Sequence, residues 1–303
     1  MSRVAVFGYS DTGHACLKAL FDAGREVVFV GTHADRPEEA RWFPSVAELA
    51  RSRGVEPAIV EDPRDPAVID RVRRAAPDLL FSFYYRGILP REILAIPTRG
   101  SYNVHGSLLP KYRGRAPVNW AVMNGETRTG ATLHAMTGRA DAGDIVDQEA
   151  VEIGPDDTAG EVQTRVTGAA VRVLSRQLGR LEEGTAPRRK QDEALATKFG
   201  RRSADDGRID WTRSAKQVHD LVRAVTHPYP GAFTDLFGGK TFVWKSRAPH
   251  LGAHDNFPGQ VRMEDGALFV ACGDDRYVEL LRLQREGEEE MDASRFVAQG
   301  LRS

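Results

Sequence analysis

Short apolar runs alternate with amphipathic stretches in the first half of the chain, and this alternation narrows the folds open to it. Residues 4–8, 27–30 and 79–83 are apolar runs of strand length, and residues 14–23 carry apolar side chains at helical spacing. Continuous apolar runs are typical of strands buried on both faces, as in parallel sheets whose strands are connected by helices. The pattern predicts an α/β fold, in which βαβ units build a Rossmann-like, mostly parallel sheet.

The second half of the chain has a different pattern. Residues 185–207 are polar and charged without periodicity, which is typical of a connecting segment. Short runs of strand length follow, separated by turn residues, at 232–237, 241–244, 260–261, 268–272 and 278–283. Such a series is typical of a small barrel. The sequence therefore predicts an N-terminal domain over 1–187, a linker over 188–207 and a small β-barrel (OB-like) C-terminal domain over 208–303.

The charge balance and the N-terminus exclude several classes of partner. Lys and Arg number 42 against 43 Asp and Glu, so we expect no nucleic-acid-binding face. The N-terminus has no signal-peptide pattern, and no apolar stretch approaches the roughly 20 residues that span a bilayer. These features predict a cytoplasmic protein that does not bind membranes.

Metal binding is not expected either. Cys16 and Cys272 are far apart and are interpreted as reduced thiols. None of the following histidines is spaced like a metal ligand: His33, His134, His219, His227, His250 and His254.

Asn103 and His105 are the strongest candidates for chemistry. They lie two residues apart at the end of a predicted strand, so their side chains point to the same face. An amide can stabilise a developing negative charge while an imidazole moves a proton, which is the combination that acyl transfer needs. Asp141, in the loop 138–144, could orient the imidazole. The residues alone leave a second interpretation open, since a single strand histidine is more often structural.

Loops near these residues offer ligand contacts. Arg113 and Arg115 follow His105 closely, and we interpret them as contacts for an anionic substrate group, with two solvated charges as the alternative. Residues 84–90 come after a central strand, where open α/β sheets place ligand loops. The first strand-to-helix turn, at 8–13, lacks both the dinucleotide-binding glycine spacing and the P-loop lysine, so we expect no nicotinamide cofactor there.

Three motifs together resemble a known enzyme family. They are residues 81–90, the run Asn-Val-His-Gly-Ser-Leu-Leu-Pro at 103–110 and the run Asp-Ala-Gly-Asp-Ile at 141–145. The sequence is similar in all three to the 10-formyltetrahydrofolate-dependent formyltransferases. The likeness runs through the whole chain and includes Trp211, residues 222–225 and residues 230–232 of the predicted C-terminal domain. The resemblance implies that 10-formyltetrahydrofolate is the co-substrate and that no metal is needed.

The resemblance also implies roles for individual residues. Asn103, His105 and Asp141 match the catalytic residues of the family. The pocket for the formyl donor is expected to involve Gly87, Ile88, Leu89, Arg115, Thr137, Gly138, Arg139, Ala140 and Asp141. A non-catalytic binding module that kept the fold is the alternative from another class, and the complete catalytic set argues against it.

Within the family, the sequence is most similar to enzymes that formylate UDP-4-amino-4-deoxy-L-arabinose for lipid A modification and polymyxin resistance. The similarity lies in residues 32–37, 81–86 and 111–120. The expected partner is therefore a small nucleotide-sugar substrate, and the alternative is another nucleotide-linked amino sugar such as a dTDP-amino-hexose. Methionyl-tRNA formyltransferase is less favoured, because residues 33–45 are short and mixed in charge where that enzyme has a basic insertion.

Two further points stay open at the level of sequence. The lipid A enzyme continues into a dehydrogenase domain, whereas this sequence ends at residue 303, so it matches either a stand-alone transferase or one part of a longer protein. The sequence also leaves open whether the chain forms a homo-oligomer.

Overall fold

A computed structural model describes residues 2–34, 42–248 and 257–299. They divide into two compact units that interleave along the chain. The first unit comprises residues 1–117, 129–151 and 164–199, and the second comprises 118–128, 152–163 and 200–303, apart from the undescribed positions.

The first unit is built on a central sheet. Its strands are β1 (Arg3–Gly8), β2 (Glu26–Thr32), β3 (Ala58–Ile59), β4 (Leu79–Phe83), β5 (Ser101–His105), β7 (Arg128–Ala135) and β8 (Ile145–Glu152), and the short β6 (Arg113–Gly114) pairs separately with β9 (Lys198–Phe199). Among the described residues the order across the sheet is β3-β2-β1-β4-β5-β7-β8. The pairs from β3 to β5 are parallel and β7 runs antiparallel to β5, which confirms the predicted Rossmann-like, mostly parallel sheet.

Helices follow the strands of this sheet along the chain. They are α1 (Ser10–Asp22), α2 (Val46–Ser52), α3 (Pro66–Ala75), α4 (Arg91–Leu94), α5 (Pro117–Met123) and α6 (Ala159–Glu183). Local capping sets where several begin. The Ser45 hydroxyl accepts a hydrogen bond from the Glu48 N–H at the start of α2, and Thr158 and Glu161 bond reciprocally before α6, as their spacing predicts. Among the described residues, no helix is long and apolar enough to cross a membrane.

The central strands of the sheet are buried, and their carboxyl ends define one edge of the sheet. Val4, Ala5, Val6 and Phe7 of β1 are fully buried, as expected for a strand covered on both faces. The strand order reverses between β1 and β4, and the crevice beyond the carboxyl ends of such strands is the usual ligand site of open α/β sheets. β5, which carries Asn103 and His105, is the next parallel strand after β4.

The second unit is an antiparallel sheet with helices. Its strands are β10 (Ala232–Thr234), β11 (Thr241–Arg247), β12 (Val261–Glu264), β13 (Ala267–Ala271), β14 (Tyr277–Arg285) and β15 (Met291–Asp292), with helices α7 (Ala215–Val225) and α8 (Ala293–Ala298). Within the described residues they pair in the order β10-β11-β14-β13-β12, with β15 on β14. The series of short C-terminal strands read from the sequence is confirmed as an antiparallel sheet.

A buried ion pair organises the second unit around α7. Asp220 and Arg223 are each about 95% buried or more, and their side chains are 2.8 Å apart. Arg223 also donates to the carbonyl oxygen of Asp157 at 2.8 Å, and Asn119 donates to the carbonyl oxygen of Ala224 at 2.8 Å. These bonds tie residues 118–128 and 152–163 to α7. The bond from Arg223 to Asp157 also satisfies a donor of the buried charge pair, which would otherwise be costly.

The stretch predicted as a linker makes specific contacts with the first unit. Arg189 exchanges two backbone hydrogen bonds with Ile145, and β9 pairs in parallel with β6. The Thr197 hydroxyl also accepts a hydrogen bond from the Tyr112 N–H at 2.8 Å. Residues 188–199 therefore pack on the first unit. The division into domains at 187 and 208 stays a prediction about parts that fold independently.

Gly130 offers a test of how tightly β7 and β8 pack. A Cβ at Gly130 would lie 2.1 Å from the Glu149 carbonyl oxygen and 2.7 Å from the Leu108 side chain. Gly130→Ala should therefore reduce the free energy of unfolding by about 1–3 kcal/mol, measured by urea denaturation. Gly179→Ala in α6 is the matched control, because no atom lies within 4 Å of its added Cβ and alanine favours the helix. Equal stability of the two variants would contradict this packing.

Candidate active site

The predicted catalytic residues converge on one carboxylate. Asn103 and His105 lie at the carboxyl-terminal end of β5, and Asp141 lies in the loop between β7 and β8. The Asp141 Oδ1 atom is 3.5 Å from Asn103 Nδ2 and 3.6 Å from His105 Nδ1. The structure thus brings together all of the residues that the sequence grouped from two separate motifs.

His105 is buried and its ring is held from both sides. Its side chain is 7% exposed, and Nε2 lies 2.8 Å from the carbonyl oxygen of Tyr112, to which a ring N–H must donate. Nδ1 faces Asp141 at 3.6 Å, which is longer than a hydrogen bond. With the proton on Nε2, Nδ1 carries the lone pair of the neutral ring. Nδ1 is therefore the nitrogen available to accept a proton, next to a carboxylate that would stabilise the resulting charge.

Asp141 is a buried charge with several partners. Its side chain is 12% exposed, and its Oδ2 accepts a hydrogen bond from the Gly114 N–H at 2.9 Å. Burial by itself would raise the pKa of Asp141, but His105, His134 and the Gly114 N–H together outweigh burial and hold that pKa well below its ordinary value. Asp141 is therefore a carboxylate at neutral pH.

The backbone around Gly114 explains how its N–H reaches Asp141. Gly114 has a φ of 102°, a conformation that strongly favours glycine, and a Cβ there would lie 2.2 Å from the Phe199 carbonyl oxygen. The short β6 and β9 pair at this point. Gly114 is thus required both by its own conformation and by the close approach of residues 198–199.

His134 is a member of the site that the sequence analysis missed. It pairs with Asn103 across β5 and β7, and it is 2% exposed. Its Nδ1 donates to the carbonyl oxygen of Ala135 at 2.9 Å, so Nε2 is the acceptor for the Asn103 amide at 3.1 Å. His134 therefore orients Asn103. From the sequence, His134 was judged only for metal-ligand spacing, which it lacks. Its place opposite Asn103 depends on the register between β5 and β7, which the sequence alone does not reveal.

Arg113 does not have the substrate-facing position that the sequence suggested. It is 6% exposed, and its guanidinium donates to Gln191 and to Glu193, with the shortest bonds at 2.7 Å and 2.9 Å. The bonds from Arg113, and secondarily those from Arg139, lower the pKa of Glu193 to about 2 despite the opposing effect of burial. The positive charge of Arg113 is thus paired with Glu193 inside the protein. Arg115 lies in the same loop and donates to the Arg86 carbonyl oxygen at 2.8 Å.

The residues predicted to bind the formyl donor lie in two loops. In the first loop Ile88 is 76% exposed, whereas the side chain of Leu89 is 3% exposed and belongs to the core around Phe7 and Tyr85. Gly87 packs against the Tyr85 ring, which leaves no room for a Cβ. Leu89 could therefore line a pocket through its backbone only, while Ile88 presents its side chain outward.

The second loop precedes Asp141 and is more exposed. Thr137 and Arg139 hydrogen-bond each other through the Thr137 hydroxyl, and Arg139 donates to Glu193 at 3.1 Å. Gly138 lies against Arg91, where a Cβ would come 2.9 Å from the guanidinium, and Ala140 is exposed. Donor binding by both loops stays a prediction.

A metal site is not evident in the described part of the chain, where no group of three or more His, Cys, Asp and Glu residues could hold an ion. His250, His254 and residues 35–37 of the motif at 32–37 lie outside the described residues.

Comparison with known proteins identifies the two parts of the chain. The family model described as formyl transferase matches residues 2–178, and the model described as formyl transferase, C-terminal domain, matches residues 202–300.

Solved structures share the fold at low sequence identity. An N-formyltransferase from Helicobacter canadensis in complex with folinic acid and dTDP-3-aminofucose has a TM-score of 0.67 at 18% identity, over 92% of this chain and 99% of its own. WlaRD, a sugar 3N-formyl transferase studied with dTDP and 5-N-formyl-THF, has a TM-score of 0.69 at 16% identity, over 95% and 99%. A 4-N formyltransferase from Francisella tularensis has a TM-score of 0.64 at 21% identity, over 80% and 96%.

The lowered pKa of Asp141 makes its contribution to stability depend on pH. Since the folded pKa lies below the ordinary value of about 3.9, the carboxylate stabilises the fold fully above that pH and loses this effect progressively as the pH falls from there through the folded pKa. Asp141→Asn should therefore be destabilised relative to the unmodified protein at pH 7, and the difference should shrink below about pH 4. Urea unfolding between pH 3 and 7 measures it. A difference that does not change with pH would contradict the charged, partnered state of Asp141.

Proposed function

This chain belongs to the formyl transferase family, and from that premise we propose that it transfers the formyl group of 10-formyltetrahydrofolate to the amine of a nucleotide-linked amino sugar. The observation that carries the proposal is the convergence of Asn103 and His105 on the buried Asp141 carboxylate. These side chains lie at the carboxyl-terminal end of a parallel strand, at the edge of the sheet where such folds bind ligands.

We further propose that the acceptor is UDP-4-amino-4-deoxy-L-arabinose. The support is the sequence similarity at residues 32–37, 81–86 and 111–120. The alternative is a dTDP-linked amino-hexose, and a specific observation favours it: structures of similar fold include an enzyme in complex with dTDP-3-aminofucose and one with dTDP. Both acceptors have the same chemistry at the amine, so the catalytic residues do not distinguish between them.

The proposed mechanism starts from His105. The attacking amine must lose a proton as it bonds to the formyl carbon, and an imidazole is the side chain best suited to accept a proton near neutral pH. We assign this step to Nδ1, because Nε2 is bonded to the Tyr112 carbonyl oxygen. Asp141 stabilises the imidazolium that forms, and His105 then delivers a proton to N10 of the folate as the bond between N10 and the formyl carbon breaks.

Asn103 has the second role. The tetrahedral intermediate carries a negative oxygen, and an amide N–H aimed at that oxygen lowers the barrier. One N–H of Asn103 is bonded to His134 at 3.1 Å, while its contact with Asp141 at 3.5 Å is long for a hydrogen bond. The second N–H is therefore the one we assign to the oxyanion, with His134 fixing the orientation of the amide.

The acceptor is tested by measuring the release of tetrahydrofolate from 10-formyltetrahydrofolate with three amines in parallel. We expect turnover with UDP-4-amino-4-deoxy-L-arabinose and none with charged initiator tRNA. Turnover with a dTDP-amino-hexose alone would overturn the UDP sugar while keeping the class of reaction. Absence of transfer to either amino sugar would overturn the proposed function.

The catalytic roles are tested with His105→Ala and Asn103→Ala. The first should lower kcat by about 10²–10⁴-fold, as expected when a proton-transfer group is lost. The second should lower kcat by about 10²–10³-fold with little change in KM, because the oxyanion exists only beyond the ground state. His227→Ala is the control, since that ring is 60% exposed and lies in the second unit. An effect of Asn103→Ala on KM alone would contradict the oxyanion role.

A further inference from the structure

Gln191 uses its whole side-chain amide to connect the catalytic loop to a buried arginine. Its Nε2 donates to the carbonyl oxygens of Asp141 and Gly143, at 2.8 Å and 2.7 Å. Its Oε1 accepts from Nε and Nη2 of Arg113, at 3.1 Å and 2.7 Å. An amide has two donor hydrogens and two lone pairs, so Gln191 makes every hydrogen bond available to it.

These bonds hold Asp141 through its backbone as well as its carboxylate. Asp141 has a φ of 53°, a conformation that residues other than glycine seldom adopt, so the surrounding structure has to maintain it. Gln191 holds the carbonyl side of the residue, while the Gly114 N–H holds Oδ2. Both restraints depend on the same neighbour, because Arg113 bonds to Gln191 and directly precedes Gly114.

The position of Gln191 is itself firmly set. It lies between Arg189, which pairs with the backbone of Ile145, and β9, which pairs with β6. Arg113 is 6% exposed and bonds to Glu193 as well as to Gln191. The segment 188–199, polar in sequence, is therefore held by backbone pairing on both sides of Gln191, which bonds to the Asp141 loop.

We infer that Gln191 is a positioning residue for the transfer reaction, acting through Asp141. It fixes the backbone that carries the carboxylate and so sets the distance between Asp141 and His105. The inference rests on the proposed function for its kinetic consequence, while the geometry stands on its own. A misplacement of about 1 Å at a catalytic group is enough to cost roughly 10²-fold in rate.

Gln191→Glu separates this role from simple packing. A glutamate keeps the size of the side chain and can still accept from Arg113, but it cannot donate to the Asp141 and Gly143 carbonyl oxygens when ionised. We expect kcat to fall about 10²-fold with the KM for the amine little changed. The melting temperature should also fall, because two hydrogen bonds to the Asp141 loop are lost while the contact with Arg113 remains. Arg189→Ala is the matched control. It removes the bond from that side chain to Gln148, 2.7 Å long, on the same segment but leaves the Asp141 loop untouched.

The outcomes distinguish this inference from the proposed function. Transfer by the unmodified protein with an unchanged kcat in Gln191→Glu would overturn the positioning role and leave the function standing. A rise in the KM for the formyl donor alone would also overturn it, since Gln191 would then shape the donor pocket instead. Should no amine be formylated, melting temperatures still test the geometry. Gln191→Glu and Asp141→Asn are expected to be non-additive there, and strict additivity would overturn the coupling.

Discussion

The site depends on the burial of one negative charge. A carboxylate that is removed from water is costly unless hydrogen bonds and opposite charge replace the lost solvent. Asp141 accepts a hydrogen bond from the Gly114 N–H on one oxygen, and the His105 ring and the Asn103 amide lie 3.6 Å and 3.5 Å from the other. The arrangement that makes the buried charge tolerable also places an imidazole and an amide at a common point. Stability and chemistry therefore share the same contacts.

The strand beside β5 and the loop that follows it supply the other side chains of the site. β7 ends opposite Tyr102, near the start of β5, and the loop that follows runs back until Asp141 reaches His105 at the other end. β7 thus adds His134 from the neighbouring strand, and the loop after it adds Asp141, to a side-chain pair carried by β5.

The sequence predicts most features that depend on neighbouring residues and few that depend on pairing between distant segments. The strand at 79–83 and the capping of α6 follow from short patterns, and Asn103 and His105 follow from their spacing. His134 was missed because its role depends on strand register, which one sequence does not reveal. Residues 188–207 were interpreted as a linker, and the contacts of residues 188–199 with the first unit were not predicted, because hydrogen bonds from polar side chains leave no periodic apolar signal.

The two arginines of the loop after β5 also differ through contacts with distant segments that the sequence does not reveal. Arg113 and Arg115 are two residues apart, so charge alone gave them one interpretation, contact with an anion. Arg113 is instead neutralised by Glu193 and bonded to Gln191, while Arg115 binds a backbone carbonyl in the loop at 84–90. Which of two neighbouring charges is buried depends on where a distant segment docks.

The proposed catalytic residues and the proposed donor loops are held in different ways within the first unit. His105, His134 and Asn103 lie on paired strands, where backbone bonds fix their positions. The loops that we expect to meet the donor are held more unevenly, since Ile88 is 76% exposed while Leu89 is 3% exposed. Exposed loop residues can change without disturbing a buried charge network. Family membership follows from matches over residues 2–178 and 202–300. Because one fold can serve several substrates, the acceptor has to be measured.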